Sequence, residues 1–135
     1  MRNQVGLRSL FGENHKAIRL FIDWCRECDE LCEYDYEHIC ISLELGAIDN
    51  TPKFFHFHTG NIITFLEEQD YYIGTMPRLS DLNYVGIVHY APEGVEVQKP
   101  IYWGLGVKDR YSCLELAVTA AINHLEKRLW KQLTK

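Results

Sequence analysis

The chain has 135 residues, a formal net charge of −5 and a hydrophobic fraction of 47%, with 24% charged residues. That length suits one domain, the apolar content excludes a disordered chain, and the acidic balance argues against a protein that lives on nucleic-acid backbones. No apolar run approaches the roughly 18 residues of a membrane span, and MRNQVGLRSLFGENHK lacks the apolar core of a secretory signal, so a cytoplasmic location with reduced cysteines is expected.

The acidity is local. Residues 23–44 hold eight acids against one base, Arg26, while the remainder holds 13 bases and 11 acids. Residues 15–34 read as a helix, because Ala17, Ile18, Phe21, Ile22, Trp24, Cys25, Cys28, Leu31 and Cys32 recur at steps of three and four. Asn14 stands where an N-cap would accept a free backbone N–H. EHICISLELG then alternates, with Ile39, Ile41, Leu43 and Leu45 on one side, and predicts a half-buried strand. Residues 46–52 read as a turn, FFHFH as a short extended run, and Asn61 as the cap of a helix to about Gln69.

From Tyr71 to Val107 the pattern is an antiparallel meander, with strands over 71–75, 84–90 and 95–103. Ala91-Pro92-Glu93-Gly94 supplies a type I turn between the last two. Gly104 and Gly106 predict a bend or bulge. The closing helix spans about 112–131. Ser112 and Glu115 have capping-box spacing, Tyr111 and Leu116 have staple spacing, and Leu114, Ala117, Val118, Ala121, Leu125 and Leu129 form its apolar stripe. The order is α-β-(β)-α-β-β-β-α. The expected fold is a single α+β domain over residues 1–135, in which helices cover a largely antiparallel sheet of four to five strands.

Three constellations carry possible chemistry. Trp24-Cys25-Arg26-Glu27-Cys28 is a W-C-x-x-C dithiol like that of thioredoxin-like proteins, with Met76-Pro77 as the downstream proline. That motif should open a helix after a strand, whereas here the helical period runs through it, so packing of Cys25, Cys28 and Cys32 on a buried face is the expected role. The same thiols could hold zinc with Cys40 or His38, but no second C-x-x-C is present. His56-Phe57-His58 places two imidazoles on one side of a strand, where His89 could complete a divalent-metal site. Finally, Asp23, Glu27, Glu30 and Glu33 form an acidic helix face suited to a protein partner, and Phe21, Trp24 and the three cysteines could seal a homodimer. Phosphate loops and nucleophile elbows are absent. The late α-β-β-β-α order is that of double-stranded RNA-binding domains, but Ser112-Cys113-Leu114-Glu115 is not the basic helix start that such a domain needs.

Residues 52–125 resemble small phage-borne domains of the α-β-α sandwich type. The likeness lies in FFHFHTGNIITFLEEQ, the strands after it, and YSCLELAVTAAINHL. It implies an accessory protein of a phage or bacterium and no known enzymatic activity. The expectation is therefore a non-enzymatic interaction module without a cofactor, binding a protein partner or a second copy and neither nucleic acid nor membrane. The alternative is a metal-dependent enzyme using His56 and His58 or a thiol-redox enzyme using Cys25 and Cys28.

Overall fold

The computed structural model describes residues 4–6, 11, 14–29, 31–45, 56–92 and 99–133. Among them the order is β1 (Gln4–Gly6), α1 (His15–Glu27), α2 (Glu33–Leu45), β2 (His56–His58), α3 (Thr59–Glu68), β3 (Tyr71–Arg78), β4 (Asn83–Tyr90), β5 (Tyr102–Val107) and α4 (Arg110–Leu133). The fold is α+β, with helices covering an antiparallel sheet. That sheet is the three-stranded β3-β4-β5, smaller than expected, while β1 and β2 pair antiparallel in a separate ribbon.

The expected helix over 15–34 is two helices. The first stops at Glu27, and Asp29 takes a left-handed φ of 58°. Asp tolerates that conformation because its short polar side chain bonds locally. Leu31 remains buried beyond the break, which explains why the apolar period runs through it. The expected strand over EHICISLELG is, from Glu37 to Leu45, the body of α2. Tyr36 and Ile39 are buried at helical spacing, whereas Ile41 is 54% exposed. The alternation came from this solvent-facing isoleucine, and packing on α1 overrode the β-branched signal. Glu33 and Asp35 in the first turn suit the positive end of the helix dipole.

The meander forms, with longer outer bounds for β3 and a later β5. Tyr71 faces Tyr90 at one end and Arg78 faces Asn83 at the other. The first part of the expected strand, 95–98, lies outside the described residues; β5 as described begins at Tyr102, and the Ile101 N–H before it bonds the Val88 carbonyl at 2.8 Å. The turn at Glu93-Gly94 lies outside the described residues. The bulge is present: Tyr84 to Gly86 on β4 spans Gly104 to Val107 on β5, so β5 carries the extra residue at its glycines.

Helix α4 begins at Arg110, and its cap is Asp109 rather than Ser112. Asp109 Oδ1 accepts the Tyr111 N–H at 3.2 Å and Oδ2 accepts the Ser112 hydroxyl at 2.9 Å. Tyr111 and Leu116 are each about half exposed (47% and 49%), so they form no staple. At α1 the Asn14 side chain makes no cap; its Nδ2 donates to Asn123 Oδ1 at 2.6 Å.

Three layers result. The inner face of the sheet carries Tyr71, Ile73, Val88, Tyr90 and Tyr102. Onto it pack α4, which crosses all three strands, and α3, which adds Ile62, Phe65 and Leu66. Helix α1 forms the next layer, against α4, α2 and α3, through Ala17, Ile18, Phe21, Ile22 and Cys25. Phe21 stacks on Phe11 and meets Phe65 edge-on, with centroids 5.5 and 5.3 Å apart. Because Phe21 and Cys25 are buried in this core, they cannot seal a dimer.

Close approach of α4 to the sheet depends on small residues. A Cβ on Gly86 would lie 3.1 Å from Cys113 Sγ and 3.4 Å from the Ala117 Cβ. Gly86→Val is expected to cost about 2 kcal/mol by overpacking. Gly60→Ala, where a Cβ meets open space, is expected to be neutral or stabilising by about 0.5 kcal/mol. Urea denaturation of the two variants checks the contrast.

Candidate functional site

The dithiol is split by the end of α1. Cys25 is buried within the helix, while Cys28 is its exposed C-cap residue. The carbonyl end of a helix is a poor place to stabilise a thiolate. Cys32 is also exposed and Cys40 partly so, which corrects the expectation that Cys25, Cys28 and Cys32 share one buried face; none of the five cysteines is in a disulfide. Met76 and Pro77 lie in β3, not on a loop facing the thiols.

His56 and His58 do lie on a strand, opposite Gly6 and Gln4. That strand belongs to the β1-β2 ribbon, whereas His89 sits on β4 opposite Tyr72 in the other sheet. Among the described residues no group of three or more His, Cys, Asp or Glu side chains is placed to hold a metal. His38 is exposed and its ring is tilted against that of Tyr34, with centroids 4.3 Å apart.

The acidic face is partly engaged by the chain itself. The Tyr36 hydroxyl donates to Asp23 Oδ1 at 2.5 Å, Arg19 pairs with the same carboxylate at 3.4 Å, and Arg26 pairs with Glu33 at 3.6 Å. The bond to Asp23 holds the Tyr36 phenol above its ordinary range, and burial adds to this. Glu27 is exposed. Glu30 lies outside the described residues.

Three groupings emerge from the folded chain instead. The first is the outer face of β3-β4-β5. By register it carries Tyr72 beside His89, then Gly74, Ile87 and Trp103 in one row, then Met76 beside Val85. Tyr72, Met76 and Trp103 are 48%, 52% and 55% exposed. The hairpin beyond adds Leu79 and Leu82, at 82% and 75% exposure, with Leu82 held at a φ of 60°. A left-handed leucine costs about 1–2 kcal/mol, so this tip displays its apolar side chain at the expense of backbone comfort. The sequence held a signal for this face: YYIGTM and YVGIV are apolar on both parities, the pattern of strands covered on both sides.

The second grouping is polar and sits between sheet and α4. The Tyr71 hydroxyl lies 2.7 Å from His124 Nδ1 and accepts from Arg128 at 3.3 Å, while the Arg128 guanidinium stacks 4.4 Å from the Tyr90 ring centroid. Burial, then Arg128, Lys127 and Lys131, push the His124 imidazole below its ordinary range; burial pushes the Tyr71 phenol up, against Arg128.

The third grouping joins the start of α1 to the end of α4. Glu126 is 8% exposed. One carboxylate oxygen accepts the Ala17 N–H at 2.8 Å and the other accepts the Trp130 indole N–H at 2.6 Å. An open cleft of about 480 Å³ lies beside it, lined by residues of both helices.

No family model, curated protein or solved structure matches the chain.

Two expectations follow from the polar groupings. Because the folded state lowers the affinity of His124 for a proton, the unfolded chain protonates first as pH falls below the ordinary value of 6.5. Stability is therefore full above that pH and falls beneath it toward the depressed value. Urea midpoints measured across this range should fall less steeply in His124→Phe. Glu126→Ala strands the buried Ala17 N–H and releases the half-exposed Trp130 indole, and should cost about 1–3 kcal/mol, read as a lowered urea midpoint with an unchanged slope.

Proposed function

We propose that the protein is a non-enzymatic interaction module that pairs with a second copy of itself through the outer face of β3-β4-β5. The observation that carries this reading is a sheet packed by helices on one side, while among the described residues its other side presents Tyr72, Met76 and Trp103, each about half exposed. Large aromatic and methionine side chains free of formal charge are the chemistry of interface centres.

The placement of the acids leaves this face open to a second copy. Two chains of net charge −5 repel. The acids concentrate on α1 and α2, which pack on the far side of α4 and α3 from this face. Arg78, at the end of the face, is neutralised by Asp81. Sheet-to-sheet pairing thus leaves the two acidic layers at opposite ends of the dimer. Three strands of six to eight residues give a face of about 25 by 14 Å. With Leu79 and Leu82 at its tip, that face is within reach of the on the order of 1,000 Å² that a specific interface buries.

The resemblance of residues 52–125 to phage-type sandwich domains supports placing this module among phage or mobile-element accessory proteins, acting in the cytoplasm. No described helix is long and apolar enough to cross a membrane, which is compatible with that placement.

Light scattering coupled to size-exclusion chromatography tests the pairing. At high micromolar concentration the expected mass is twice the 15.8 kDa of the chain, and Met76→Lys/Trp103→Lys should give a folded monomer. A wild-type monomer, or a dimer indifferent to these exposed substitutions, removes the proposal.

A further inference from the structure

We infer that the cleft between α1 and the end of α4 binds a small amphipathic carboxylate, an anionic head on an aromatic or aliphatic body. The cleft measures about 480 Å³, a volume typical of small-molecule sites. Its walls are Leu20, Leu129 and the Trp130 ring, and its rim carries His15, Lys16 and Arg19.

The rim is set up for an anion. Among the described residues Asp23 is the sole acid lining the cleft, and its carboxylate is already engaged by the Tyr36 hydroxyl and Arg19. Lys16 meets no carboxylate among the described residues; its Nζ lies 4.4 Å from the centroid of the Trp130 ring. His15, Lys16 and Arg19 occupy the first half of α1, where cations oppose the helix dipole, and its first turn has no acid. Local stability would favour the reverse placement, and such conflicts concentrate where a chain binds something.

The apolar part is set up as well. The Trp130 indole N–H is held by Glu126 at 2.6 Å, so the ring presents a fixed face between Lys16 and Leu129. An ammonium resting on that face sits where the apolar wall meets water, the place at which the head group of an amphipathic acid emerges. A bare inorganic anion would leave the wall unused. None of these residues belongs to the sheet, so the inference stands independently of the pairing proposed above.

The test titrates the isotope-labelled 135-residue chain with phenylpropionate and follows the Trp130 indole N–H resonance, assigned with Trp130→Phe. Phenylpropionamide, acetate and inorganic phosphate serve as comparators. The expected result is a saturable shift with phenylpropionate, about tenfold weaker binding for the uncharged amide, and about tenfold weaker phenylpropionate binding in the folded Lys16→Gln variant. Equal binding of the amide, an equal response to acetate or phosphate, an unaffected Lys16→Gln variant, or no saturable shift would each overturn the inference.

Discussion

The position of α1 rests on a single carboxylate. A helix start leaves backbone N–H groups without intrahelical partners, and the residue placed to satisfy one of them, Asn14, turns its side chain to Asn123 instead. Glu126 supplies the acceptor from another helix, 109 residues away, and with its second oxygen anchors Trp130. Among the described residues Glu126 is the one buried charged side chain. Leaving such a donor unpaired costs about 1–3 kcal/mol, so the bond fixes where α1 begins as well as what it touches. From that point the register of Ala17, Ile18, Phe21, Ile22 and Cys25 against the core follows, and with it the aromatic group of Phe11, Phe21, Trp24 and Phe65.

A second constraint acts on the other side of α4. Gly86 lets the helix lie close enough that Cys113 and Ala117 touch the sheet backbone. On the same face the Tyr102 ring lies over Gly104 and occupies the space that a side chain there would take. Small residues under the helix and an aromatic beside it give a dense contact on one side of β4-β5. All the helical cover therefore goes to that side. What remains opposite is Trp103, Ile87 and Met76, an apolar surface produced by the asymmetry of packing.

Elements decided by their own residues were legible in the sequence. Helices α3 and α4 and the β3-β4 meander show their periods over many residues, and the glycines of β5 announced the bulge. The break after Glu27 was not legible, because buried Leu31 continues the apolar period across a turn set by one left-handed aspartate. Helix α2 was misread because Ile41, which faces solvent, completes a two-residue alternation that packing does not use. The caps were misassigned for a related reason. Ser112-Glu115 and Asn14 have the right spacing, but Asp109 precedes the first and Glu126 reaches the second through space. Candidate sites suffered most. Cys25 and Cys28 are three residues apart in sequence, yet one is core and the other surface. The residues that do converge, Lys16 with Trp130 and Tyr71 with His124, are separated by most or much of the chain.

Helix α4 is the element shared by both proposed surfaces, and its construction decides whether they communicate. Its C-terminal half carries Trp130 and Glu126, so a ligand that displaces Trp130 pulls on Glu126 and thereby on α1. Its first half is pinned to the sheet at Gly86 with contacts at which even one added methyl would be crowded. His124 and Arg128, bonded to Tyr71, pin the C-terminal half as well. Interiors packed this tightly do not slide continuously; coupling between distant sites needs an element with two discrete arrangements. Between the cleft and the outer sheet face the described structure holds one arrangement, locked by a buried carboxylate, a tyrosine–histidine bond and a glycine contact. Occupation of the cleft should therefore bear on how α1 sits, while the pairing face, carried by strands to which no cleft-lining residue belongs, keeps its own affinity.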